Sequence, residues 1–193
     1  MSNNAKNVST GKPKIGGSVF KAPLGTSLPT NATSTLASAF KEMGYISEDG
    51  VSNEKTRDSA EIKAWGGDIV LEPQTGKTDN FKMTFIESTN IEVLKAVHGD
   101  SNVTGSALDS GVSVKENSKE LEYASWVIEM ILNDNVLKRI VIPSGKIKDV
   151  AEVNYKDDSA IGYECTIGTT PDSSGNTHYE YFQKQASGQS TSN

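Results

Sequence analysis

The residues of this chain that could do chemistry are few, and the most suggestive is the triplet Gly76-Lys77-Thr78. It has the form of the end of a phosphate-binding loop, in which backbone amides and the lysine hold a polyphosphate. That loop also needs a glycine five residues earlier, and position 71 is leucine. It needs a helix to follow, so that the phosphates sit on amides at the helix N-terminus. Phe81–Phe85 instead alternates apolar and polar with period two, as a strand does. Gly-Lys-Thr-Asp between two strands reads as turn chemistry.

The other reactive types read no differently. His98 ends an apolar-periodic segment, where an imidazole complements helix carbonyls, and His178 is distant in sequence. Cys165 follows Ile161 and Tyr163 at every second position, as a core residue of a strand would. It is the only cysteine, so an intrachain disulfide and a cysteine-based metal cluster are both excluded. Asp157-Asp158 lacks the oxygen-ligand spacing of a calcium loop and reads as the start of a turn. No Gly-x-Ser-x-Gly elbow or His-Glu-x-x-His is present. The expectation is a non-enzymatic protein with no catalytic residue, metal or cofactor.

A chain of 193 residues, 35% hydrophobic, suits one domain with a real core. No apolar run reaches the ~20 residues of a membrane span, and MSNNAKNVST lacks a signal peptide's apolar stretch. A soluble protein made in a reducing cytoplasm is expected, without membrane insertion. Residues 1–41 hold five lysines and no acid, whereas the rest carries 14 basic and 25 acidic side chains. An acidic body disfavours tight nucleic-acid binding, which depends on neutralising phosphates.

The elements that must position these residues are mostly strands. Residues 1–18 read as a flexible N-terminal arm and 186–193 as a flexible C-terminal tail. Phe20–Thr30 reads as irregular chain and Thr35–Met43 as a short helix ended by Gly44. Asp49-Gly50 reads as a turn. Ala60–Trp65 and Asp68–Glu72 flank a two-residue turn at Gly66-Gly67, and Phe81–Glu87 is the next strand. Thr89 and Glu92 form a capping box that opens a helix at about 90–98, closed by Gly99. Val112–Lys115 reads as a short strand. Leu121–Leu132 and Val136–Ile142 form a hairpin around Asn133–Asn135, broken by Pro143-Ser144-Gly145. Ile147–Tyr155, Ile161–Thr169 and Thr177–Phe182 complete about eight to ten short strands. The fold class is mainly β: a sandwich or barrel over 19–185 with one flanking α-helix.

Two hairpins carry surface expectations. On Leu121–Ile142, one face shows Trp126, Ile128, Met130 and Leu132 with Val136, Lys138, Ile140 and Ile142. The other shows Val127, Glu129 and Ile131 with Leu137, Arg139 and Val141, and Glu129 can pair with Arg139 across strands. Both faces are apolar, so the second must be covered by a neighbouring subunit or by the chain itself. These six residues, with Gly76, Lys77 and Thr78 at an expected hairpin tip, are the candidate subunit interface. On the Gly66-Gly67 hairpin, Ile62, Ala64, Ile69 and Leu71 read as core. The opposite face carries Glu61, Asp68 and Glu72, with Glu61 facing Glu72 as a like-charge pair.

GYISEDGVS (44–52), IKAWGGDIVL (62–71), TFIESTNIEVLKAVHGDSNVTG (84–105) and NYKDDSAIGYECTI (154–167), with VFKAPLGTSLPT (19–30), together resemble the major tail (tail tube) proteins of long non-contractile-tailed bacteriophages. The resemblance implies a tail-tube-like β-sandwich flanked by a helix, in hexameric rings that stack into a tube around a channel for viral DNA. It implies a virion tail protein assembled in the host cytoplasm. Its implied partners are copies of itself, tape measure, tail-tip and tail-terminator proteins, and DNA that passes without sequence-specific binding. An acidic lining suits such a channel, and Glu61, Asp68 and Glu72 are the candidates to face it. The alternatives are another ring-forming tail protein (a tail terminator or distal tail protein) or a β-sandwich binding module with Trp65 and Trp126 as aromatic platforms.

Overall fold

Alternation along Ala124–Leu132 sends Trp126 and Ile128 to one face and Val127 and Glu129 to the other, and all four are buried. A strand with two buried faces belongs inside a sheet covered on both sides. The computed structural model, which describes residues 3–14 and 18–185, places it there. Among the described residues thirteen strands and one α-helix follow one another: β1 Lys12–Pro13, β2 Val19–Pro23, β3 Lys41–Glu42, β4 Ile46–Ser59, β5 Ile62–Lys63, β6 Ile69–Leu71, β7 Gln74–Phe85, α1 Ile91–His98, β8 Val103–Thr104, β9 Ser113–Val114, β10 Ala124–Leu132, β11 Val136–Val150, β12 Tyr163–Thr169 and β13 Tyr179–Lys184. The main sheet is antiparallel, in the order β3-β2-β10-β11-β12-β7-β4, with β1 also on β10 and β13 also on β11. The expected class, mainly β with one flanking helix, is the class observed.

Two apolar clusters sandwich the β10–β11 pair. On one side Trp126, Ile128, Ile140 and Ile142 meet Phe81, Met83 and Phe85 of β7, Cys165 and Ile167 of β12, and Val93, Leu94 and Val97 of α1. On the other, Val127 and Val141 pack with Ala22 and Phe40, flanked by Phe20, Leu28, Leu36 and Tyr181. The second face is thus covered by the chain's own residues 20–40 and β13. The predicted register is observed: Trp126 opposes Ile142, Val127 opposes Val141 and Glu129 opposes Arg139.

Several boundaries differ from the sequence reading. The break expected at Pro143–Gly145 is a bulge in one continuous strand, because Ala124 opposes Gly145 while Trp126 opposes Ile142. Pro143, which has no N–H to donate, occupies that bulge, and its carbonyl accepts from the Ser125 hydroxyl at 2.8 Å. Thr35–Met43 is not helical: Phe40 joins the second cluster and Met43 the first, a division no single helix face allows. The start of Phe20–Thr30, read as irregular, belongs to the strand Val19–Pro23 on β10. Asp49-Gly50 is no hairpin turn but an irregularity within the 14-residue β4, where Gly50 takes φ 69°. Lys12–Pro13 of the expected N-terminal arm pairs with β10. Residues 1–2 and 15–17, and the expected C-terminal tail 186–193, lie outside the described residues.

The helix is capped by Asn90 rather than Thr89, one residue later than expected. The Asn90 side chain accepts the Glu92 N–H at 3.0 Å, and the Gly99 N–H closes the other end on the Lys95 carbonyl. Asn90→Ala should therefore cost about 1 kcal/mol, read as a lower urea midpoint at unchanged slope.

Candidate assembly surface

Gly76-Lys77-Thr78 is not a turn. It lies within β7, where Gly76 opposes Asp58, Lys77 opposes Arg57 and Thr78 opposes Thr56 of β4. The chain expected to reverse here runs on because β4 extends to Ser59 and supplies a partner for each residue of the triplet. A strand offers no helix N-terminus to phosphate, so the nucleotide reading has no structural support.

The remaining reactive residues are accounted for by packing. Burial pushes the Cys165 thiol up to about 12, helped by the charges of Asp149 and Glu164, which leaves it inert at neutral pH. His98 ends α1, with Nδ1 2.7 Å from Glu116 and its ring edge-on to Tyr163. Asp157-Asp158 lies on an exposed bend, and no metal-holding cluster occurs among the described residues. Trp126 is buried and its Nε1 donates to the Gly145 carbonyl at 3.1 Å, so it is no binding platform.

What the fold does build is an arm. Beyond Asn53 and Asp79, the β4–β7 ribbon has exposed residues on both faces and pairs only with itself. Its end is the small β5–β6 hairpin, turned by Trp65-Gly66-Gly67 with φ 116° and 101° at the glycines. The loop holds three residues, not two, because Ala64 N–H bonds the Asp68 carbonyl. At this tip Ile62, Ile69, Val70 and Leu71 are about half exposed or more, and Trp65 is fully exposed. Ile62, Ile69 and Leu71 were expected in the core. They lie outside it because the ribbon carries them beyond the sheet body.

The carboxylates of the arm avoid the expected repulsion. Glu61 pairs with Lys63 at 3.1 Å, and Glu72 accepts from the Ser59 hydroxyl at 2.7 Å. Glu61, Asp68 and Glu72 are all exposed at the tip.

The apolar second face of β10–β11 is elsewhere and already occupied. Val127, Glu129, Leu137, Arg139 and Val141 are buried within the one chain, and Ile131, half-buried, opposes Lys12 of β1. Arg139 donates to Glu129 through Nε at 2.7 Å, and through Nη1 to the Asn31 carbonyl and Ser34 hydroxyl at 2.7 and 3.1 Å. Lys14 reaches the other Glu129 oxygen at 2.7 Å.

One polar cluster escaped the sequence reading. Asp79, 3% exposed, accepts from Asn53, Thr177 and His178 at 2.7, 2.6 and 2.5 Å. Burial alone would raise its carboxyl pKa. The hydrogen bonds from Thr177, Asn53 and His178, with the charge of His178, outweigh that and hold it below the usual range. A signal was present: Asp79 precedes Phe81, Met83 and Phe85 at period two, so it had to share their inward face.

Among the described residues β4 and β13 each pair on one edge only, leaving two long strand edges open. Natural monomers blunt such edges, and assemblies use them. A projecting apolar tip likewise marks a contact with another molecule. Comparison with protein-family models matches residues 1–191 to the family described as Phage tail tube protein. No curated protein matches the chain.

Proposed function

The chain belongs to the phage tail tube protein family, structural components of the virion tail, and from that premise we propose that it forms hexameric rings which stack through the β4–β7 arm. The observation that carries this reading is the arm itself: a two-stranded ribbon, marginal alone in water, ending in five exposed large apolar side chains. Burying each is worth ~1.5–3 kcal/mol if the cover is complete, so a joint between copies stabilises what the monomer leaves open. The open edges of β4 and β13 support ring closure by strand addition between copies.

The arm's shaft, with Gly76, Lys77 and Thr78, lies alongside the adjacent ring. Glu61, Asp68 and Glu72 give the channel wall a negative charge that does not hold DNA phosphates, so the DNA moves through without sequence-specific contact. Tape measure, tail-tip and terminator proteins are the partners that set length and ends. The work is mechanical and asks for no catalytic residue or cofactor.

Negative-stain microscopy and sedimentation of the purified protein test the reading. Dilute protein should be monomeric or weakly associated, and stacked rings should appear at high concentration or on tail-tip complexes. A monomer under both conditions overturns it.

A further inference from the structure

Asp79 stands where the sheet body ends and the arm begins: Phe81, two residues inward, is fully buried, and Thr78, one residue outward, is exposed. A two-stranded ribbon has no packing of its own to fix its direction, so whatever holds its root sets where it points. Here the root is held by residues far away in sequence. Asn53 of β4 binds the Asp79 carboxylate from one strand of the arm. Thr177 and His178, which lead into β13, bind it from the other side, and the Thr169 hydroxyl at the end of β12 donates to the Asp79 carbonyl at 2.9 Å.

The connection continues past His178. Its Nε2 lies 3.4 Å from Glu180 of β13, and Glu180 pairs with Lys138 of β11 at 2.8 Å. The imidazole also stands edge-on to Phe81 with ring centres 5.2 Å apart. One run of polar contacts therefore joins both strands of the arm to the strand added last in chain order. Asp79 is the buried member of this run, and its contacts resist partial loosening because a lost partner would leave its desolvated charge behind.

We propose that Asp79, Thr177 and His178 form a latch that makes the arm rigid only when the C-terminal strand β13 is seated. A chain whose last strand has not docked carries a slack arm and does not join a growing assembly. This last consequence rests on the arm being the contact between copies, whereas the latch itself does not.

Hydrogen exchange on the full chain separates the two. His178→Ala, on the β13 side, should speed exchange at least tenfold at the arm root, residues 53–57 and 77–80, as well as in β13. Amides of α1 and the middle of β10 should keep their protection. His178→Gln, which retains a donor for the carboxylate, should restore protection at the root. Asp79→Asn should loosen β13 from the arm side, the reciprocal effect. If His178→Ala loosens β13 while root protection stays as in the parent, there is no latch. A slack root together with unchanged tube formation would keep the latch and refute the arm as the assembly contact.

Discussion

Arg139→Ala should destabilise the fold by about 3–5 kcal/mol, the cost of breaking a buried ion pair from one side. Arg139 is 2% exposed and Glu129 5% exposed, and the guanidinium gives Nε and Nη2 to the carboxylate and Nη1 to the 31–34 segment. Alanine leaves Glu129 with Lys14 alone, whose side chain is 38% exposed. It also removes two bonds that hold Asn31 and Ser34 over the second apolar cluster. Urea denaturation at constant slope reads the loss directly. The double change Glu129→Leu with Arg139→Met should recover most of it, since an apolar pair of similar volume needs no partner. A loss below about 1 kcal/mol, the range of exposed pairs, would mean that the pair is solvated in the folded chain rather than sealed from water.

Trp65→Ser combined with Leu71→Ser should abolish stacking and leave the monomer's melting temperature unchanged. Both side chains are exposed at the tip, so the folded monomer gains little from them. At a joint their burial contributes ~3–6 kcal/mol together, taking ~1.5–3 for each. At 1.4 kcal/mol per tenfold, that weakens each contact by roughly 10²–10⁴. In the proposed hexameric ring six such contacts would compound the effect, so rings or monomers should replace tubes in micrographs. Tubes of parental length from a double variant of parental stability would place the tip outside the joint.

The family resemblance carried by blocks between 19 and 170 agrees with the family match over 1–191. Much of the fold was equally legible. Two apolar runs, Trp126–Leu132 and Val136–Ile142, flank Asn133–Asn135, whose residues tolerate positive φ, as Asp134 and Asn135 do, so hairpin and register followed. IEVLKAVH followed by Gly99 marked the helix to within a residue of its cap.

The arm was not legible, and the reason is its solvent. Ser52–Ser59 is polar on both faces because water lies on both sides, so the period-two signal that announces a strand is absent. Gly76-Lys77-Thr78 then looked like a turn for want of a visible partner strand. The cover over Val127 and Val141 was hidden too, since residues 24–40 pack without periodicity.

The sequence by itself determined the class, the division of the central hairpin's residues between two apolar faces, and the pairing of Glu129 with Arg139. Only the tertiary structure decided what lies against each apolar face. Val127 and Ile69 follow the same rule of alternation, yet one is sealed by its own chain and the other stands exposed at the arm's tip. Alternation records that a face avoids water, and carries no information on whether the molecule that covers it is the same one.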